Sequence, residues 1–174
     1  MEKLQTEQKA NSTTPKNQNN GLLNQISLFH VSEINVTYRP KFKASERPKV
    51  STSKEVYDIL YNNWDLDKME LLEQFKILLL NRANRVIGIY EVSSGGMTGT
   101  VADPKLIFST ALKACASSII LSHNHPSGNL KPSQADIALT QKLIAAGSFL
   151  DIAVLDHVIM TSEGYYSFVD EGII

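Results

Sequence analysis

The chain has 174 residues, 43% hydrophobic and 20% charged, which is room for one domain with a real core plus some excess in an ordinary soluble composition. A net charge of −1 argues against binding polyanions by bulk electrostatics, and a single cysteine, Cys115, rules out a disulfide framework or a cysteine-rich zinc site. No apolar run approaches the roughly 18–20 residues of a membrane span and no signal-peptide core opens the sequence, so a reducing cytoplasm is the expected location and no membrane partner is expected.

Met1–Asn20 is Lys, Gln, Asn and Thr with almost no large apolar residue. It cannot bury enough surface to offset ordering entropy, so residues 1–24 read as a flexible polar tail. Residues 25–50 read as a strand-like arm and basic linker. Ile26, Leu28, Ile34, Val36 and Tyr38 alternate as half-buried strands do. Arg39–Lys49 is basic and punctuated by proline, which suits either a phosphate contact or a solvated connector. The arm is a candidate to dock on the main domain or to exchange with a second copy in a homodimer.

Residues 51–174 form the main domain. Thr52 and Glu55 make a capping box before Val56, Ile59 and Leu60, which share one helical face. Trp64 and the acids after it end that helix. Glu73–Leu80 reads as a strand, turns at Asn81–Asn84, and returns through Val86–Tyr90 as a hairpin. Ser94-Gly95-Gly96 is a second turn and Thr98–Val101 a short strand. Asp103-Pro104 opens a helix as N-cap and first helical residue, with Leu106, Ile107, Ala111, Leu112 and Ala114 on its apolar side. A buried strand is expected at Ser118–Leu121, a helix from Ser133 to about Ala146 with Gly147 as its stop, an extended segment over Ile152–Met160, and a turn at Glu163-Gly164 into Tyr165–Phe168. Strands interleaved with helices give an α/β (α+β) class, layered around one sheet.

The chemistry concentrates at the end of the Ser118–Leu121 strand. His123 and His125 are spaced i, i+2, which in extended backbone puts both imidazoles on one face. Pro126-Ser127-Gly128 then breaks the strand. Pro132-Ser133 opens the next helix, with Asp136 in its first turn. Two imidazoles and one carboxylate can converge, and three such ligands with an open fourth position describe a catalytic zinc site. Ser133 and Asp136 also fit a simple helix-capping pattern with the acid at the helix N-terminus. A His-Glu-x-x-His zincin helix is absent, and a nucleobase deaminase would need a Pro-Cys-x-x-Cys that a single cysteine forbids. The literal string His123-Asn124-His125 is no evidence for an HNH nuclease, whose named residues are dispersed over a ββα-metal unit.

His123-x-His125-Pro126 followed by Ser133-x-x-Asp136 resembles the JAMM (MPN-plus) metal signature. The fuller wording, His-Asn-His-Pro-Ser-Gly and then Pro-Ser-x-x-Asp, is similar to the bacterial RadC branch, as are Leu155–Ile159 and Gly164–Ser167. The resemblance covers about residues 50–174. It implies a curved mixed β-sheet flanked by helices, of the cytidine-deaminase-like kind, with Zn2+ held by His123, His125 and Asp136. It further implies a general base on an early strand, for which Glu73 matches and Glu91 competes, and a Ser133 hydroxyl that steadies the metal water while its backbone caps the helix. Many longer RadC proteins carry an N-terminal helix-hairpin-helix module, and no Gly-x-Gly hairpin between two helices stands here.

Three functions are weighed. The first is a zinc-dependent hydrolase of JAMM type acting on a peptide or isopeptide-like amide, with a protein or peptide partner. The second is a RadC-type DNA repair or replication-associated protein that binds or acts on DNA. The third is an interaction module whose metal is structural. Asn124 points away from the two histidines, for a structural or rim role. Asp156-His157 offers either a carboxylate behind a ligand imidazole or an ordinary core pair. His30 and Cys115 are given no function.

Overall fold

The computed structural model describes residues 41–95 and 101–174. The expected tail at 1–24, the strand patterns at 26–38 and the strand at 98–100 lie outside the described residues. Val101, at the end of that last expectation, is in no strand.

Every residue of β1 (Gln74–Leu80) and β3 (Ser118–Asn124) is buried. A strand covered on both faces reads as an apolar run rather than an alternation, which explains Ile77–Leu80 and Ile119–Leu121. β2 (Val86–Ser94) returns antiparallel beside β1, and the turn is closed by the Asn84 N–H donating to the Asn81 carbonyl at 2.9 Å. With β4 (Ala153–Met160) and β5 (Tyr165–Ser167), the five strands form one mixed sheet in the order β2-β1-β3-β4-β5. Among the described residues, only β3 and β4 run parallel. A parallel pair needs a crossover, and the helix between them supplies it.

Helices cover both faces. On one lie α1 (Ser53–Asn62) and α2 (Leu66–Met69), burying Val56, Leu60, Trp64 and Met69 against Leu78, Leu80, Ile120, Val158 and Met160. On the other lie α3 (Pro104–Lys113) and α4 (Gln134–Phe149), burying Ile107, Phe108, Ala111 and Leu143 against Phe75, Ile77, Leu79, Ile119 and Leu121. The expected caps are in place. Thr52 and Glu55 close a reciprocal box at α1, and the Asp103 carboxylate accepts from the Lys105 N–H ahead of Pro104 at α3.

Gly147 does not stop α4, which continues to Phe149. The left-handed residue that ends the helix is Asp151, at φ 54°, and the Ile152 N–H donates to the Gly147 carbonyl at 2.9 Å in the manner of a Schellman cap. α3 ends the same way, with Cys115 at φ 52° and the Ala116 N–H on the Ala111 carbonyl. Glycine at 147 serves a close approach instead, since a Cβ there would sit 2.3 Å from the Ile152 carbonyl oxygen. Gly147→Ala therefore forces the α4–β4 turn apart. The expected cost is about 1–3 kcal/mol, read as a lower urea midpoint at unchanged slope.

The basic segment is held against the domain from Ser45 to Lys49. Ala44–Glu46 forms a 3-10 turn, Lys49 bridges to Arg85, and the Arg85 guanidinium donates to the carbonyls of Ser45 and Arg47. No helix among the described residues is long and apolar enough to cross a membrane.

Candidate metal centre

The β1–β3 register pairs Phe75 with His123, so the His123 ring lies on the α3–α4 face, at the end of the row Ile119, Leu121. The Phe75 and His123 rings stack at 6.0 Å. His125 follows one step past the strand, kept extended by its N–H on the Met160 carbonyl at 2.9 Å. The chain then turns. The Gly128 N–H returns to the His125 carbonyl, and Gly128 stands at φ 75°, where a side chain would be strained. That turn brings the Asn129 carbonyl onto His125 Nδ1. Ser133 then caps α4 and delivers Asp136.

The three residues converge. His123 Nε2 and His125 Nε2 stand 2.9 Å apart, and the Asp136 carboxylate oxygens lie 3.5 Å from the first and 3.9 Å from the second. One ligand atom from each lies within 4.8 Å of the others, the only such group of His, Cys, Asp or Glu among the described residues. Zn–N and Zn–O bonds of about 2.0–2.1 Å in tetrahedral geometry require ligand separations of roughly 3.3 Å, and the approaches here, two of them through different Asp136 oxygens, run from 2.9 to 3.9 Å around that value.

Hydrogen bonds fix where the imidazole protons sit. A carbonyl only accepts, so the Asn129 carbonyl places a proton on His125 Nδ1 and leaves its Nε2 as a lone pair. For His123 the argument runs through two more side chains. The Thr140 hydroxyl donates its one proton to the Asp136 carbonyl at 2.7 Å, so it must accept from His157 Nδ1 at 2.6 Å. His157 Nε2 is then an acceptor, and His123 Nδ1 donates to it at 2.8 Å. His123 Nε2 is left as a lone pair facing that of His125. Burial pushes the His123 pKa down to about 4, against a raising influence of the Asp136 charge, and burial holds His157 well below the usual imidazole range. Both rings therefore stay neutral at pH 7. Two lone pairs and a carboxylate aimed at one point repel one another unless a cation stands between them, so the donor set fits a divalent metal of the zinc type.

Asp136 is helix cap and candidate ligand at once. Its Oδ2 accepts the Ser133 N–H at 2.7 Å and the Ser133 hydroxyl at 2.6 Å, while its Oδ1 is the oxygen 3.5 Å from His123 Nε2. The cap uses the Ser133 hydroxyl as well as its backbone, because that hydroxyl also accepts the Asp136 N–H at 3.1 Å.

Glu73 immediately precedes β1 and is half-buried, its carbonyl accepting the Gly95 N–H at 2.9 Å. Running the Phe75–His123 register two residues further sets Glu73 opposite His125, on the histidine face. Glu91 is elsewhere. It pairs with Lys76 across the hairpin, and its Oε2 takes the Gln74 amide at 2.7 Å and the Lys76 ammonium at 3.5 Å. That ammonium lies 4.3 Å from the Trp64 ring, on the α1–α2 face.

Asn124 does turn away from the histidines. Fully buried, it accepts the Gln74 N–H at 2.7 Å and donates to the carbonyls of Met69 at 2.7 Å and Leu72 at 2.9 Å, joining β3 to the end of α2. The Asp156 carboxylate reaches no ligand imidazole. It accepts from the His157 and Val169 N–H groups and the Ser167 hydroxyl, and burial raises its pKa. The ring behind His123 is that of His157 itself, which together with Thr140 sequence reasoning did not assign to the site. The available signal was Thr140 standing four residues after Asp136, one helical turn along the same face. A separate cavity of about 190 Å³, lined by Val50, Ser53, Val56, Ile120, Leu155 and Asp170 among others, shares no residue with the metal centre.

A family model described as the RadC-like JAB domain matches residues 50–173. The UPF0758 protein of Flavobacterium johnsoniae is 52% identical over 101 residues, covering 58% of this chain and 44% of that protein. The UPF0758 protein of Porphyromonas gingivalis is 44% identical over 103 residues, 59% of this chain and 45% of its own. That of Methanosarcina mazei is 35% identical over 133 residues, 76% of this chain and 57% of its own. The chain thus spans about half the length of these curated relatives.

Proposed function

The chain belongs to the RadC-like JAB domain family, and from that premise we propose that it is a zinc-dependent hydrolase of JAMM type that attacks a peptide or isopeptide-like amide with water. The observation that carries this reading is the pair of imidazole lone pairs facing each other at 2.9 Å with the Asp136 carboxylate beside them. Zinc held by three such ligands brings the pKa of a bound water to about 7 and polarises a carbonyl.

His123 and His125 hold the metal as neutral donors, and Asp136 supplies the one negative charge. Glu73 accepts a proton from the attacking water and passes it to the leaving nitrogen. Ser133 orients Asp136 through its N–H and hydroxyl, and the hydroxyl assists the developing oxyanion on release from that bond. The test is elemental analysis of the purified chain, then a screen of peptide and isopeptide-linked substrates. About one zinc per chain is expected, with cleavage that chelation abolishes and zinc restores. A chain that takes up no zinc when it is supplied in excess overturns the reading.

One observation favours DNA binding as a second reading. Lys41, Lys43 and Lys49 are exposed along one short segment, with Phe42 66% exposed among them. If these lysines contact phosphates, replacing all three with Gln lowers the slope of log K against log salt by about 3 and weakens binding to any DNA sequence alike. An unchanged slope assigns the segment to structure alone.

A further inference from the structure

We propose that Thr140 and His157 are positioning residues that set the tautomer and orientation of His123 and thereby determine how tightly the site holds zinc. The inference rests on the metal reading above and deepens it, because neither residue faces the metal position.

The four groups close a ring. The Asp136 carbonyl accepts from Thr140 Oγ1 at 2.7 Å, Thr140 Oγ1 accepts from His157 Nδ1 at 2.6 Å, and His157 Nε2 accepts from His123 Nδ1 at 2.8 Å. His123 Nε2 then faces Asp136 Oδ1 across the site. Each member has one way to satisfy its neighbours. If His123 took the other tautomer, its proton would sit on Nε2, in the metal position, and His157 and His123 would confront each other with two lone pairs. The direction of the ring is set at Thr140, since a hydroxyl carries one proton and the Asp136 carbonyl can only accept.

The ring is also built to be rigid. His123, Thr140 and His157 are 1% exposed or less, so water does not compete for these bonds. Phe75 stacks on His123, while Phe168 lies 4.7 Å from the His157 ring. Imidazole ligands commonly donate their second N–H to such a partner, and its removal typically costs 10–100-fold in metal affinity. Here the partner is a neutral imidazole rather than a carboxylate. A carboxylate would fix His123 by charge. The imidazole fixes it only while something fixes the imidazole, and Thr140 fills that role.

The test compares Thr140→Val, which keeps the shape and removes the hydroxyl, with Thr140→Ser, which keeps the hydroxyl. Zinc affinity is measured by chelator competition, and the imidazole tautomers of the metal-free chain by long-range proton–nitrogen NMR. The expected result is a 10–100-fold loss of zinc affinity in Thr140→Val, restoration in Thr140→Ser, and a His123 Nδ1–H tautomer that becomes mixed only in the valine variant. Equal zinc affinity in wild type and Thr140→Val overturns the proposal. If wild type binds no zinc, the metal reading fails separately. The tautomer spectra then decide the ring alone, and an unchanged His123 signal in the valine variant sinks it.

Discussion

Asp136→Ala leaves the chain folded and strips it of zinc. The two consequences are separable because the capping bonds converge on Oδ2, while Oδ1 makes the shorter approach to the site, 3.5 Å from His123 Nε2 against 3.9 Å from Oδ2 to His125 Nε2. Losing Oδ2 removes half of a reciprocal cap, which costs about 1 kcal/mol of helix stability and leaves the remaining core intact. Losing Oδ1 removes one of three ligands and the only negative charge among them. Sites of four ligands bind zinc with about 10–16 kcal/mol, so one ligand accounts for roughly 3 kcal/mol, a hundredfold or more in affinity. Elemental analysis after dialysis reads this directly. Asp136→Asn completes the comparison, since an amide oxygen can still accept the Ser133 N–H. Stripped of metal, that variant melts like wild type, yet it binds zinc weakly. Full zinc in both variants would reduce Ser133-x-x-Asp136 to a helix cap.

Glu73→Gln is expected to do the opposite, keeping one zinc per chain while cleavage falls by about 10²–10⁴. The glutamine preserves size and hydrogen bonding and removes only the basic oxygen. Glu91→Gln serves as its control. The Glu91 carboxylate is engaged by Gln74 and Lys76 on the far face of the sheet, so its loss leaves cleavage unchanged. The reverse pattern, with activity lost in Glu91→Gln and kept in Glu73→Gln, would transfer the base to residue 91 and require the hairpin to rearrange around substrate.

Much of this was legible in the sequence because the signals are local. Capping at Thr52 and Asp103 depends on residues two or three apart, and the same-face placement of His123 and His125 follows from the strand period alone. The end of α4 departs from the sequence expectation for a physical reason. Glycine is the usual left-handed residue at a helix end, but Asp and Cys also adopt that conformation here, and Gly147 is required by the Ile152 carbonyl in the turn before β4. The ring through His157 and Thr140 was out of reach for a different reason. It depends on β4 lying parallel beside β3 with His157 level with Leu121, and no short-range pattern encodes the register of a parallel pair. Asp156 adjoins His157 in sequence, yet successive strand residues face opposite sides of the sheet.

The parallel β3–β4 pair has a consequence for the order of assembly. β1 and β2 are a hairpin, a unit that forms within microseconds, whereas strands joined across a helix must close a long loop before any pairing rewards it. His123 and His125 are near neighbours as soon as β3 exists, but Asp136, Thr140 and His157 reach them only when α4 has docked and β4 has zipped in. Zinc bound between the first pair and Asp136 would therefore be a late contact, expected to form after the rate-limiting step of folding. Loading the site should leave the refolding rate nearly unchanged and slow unfolding instead, so that the metal acts on the lifetime of the native state.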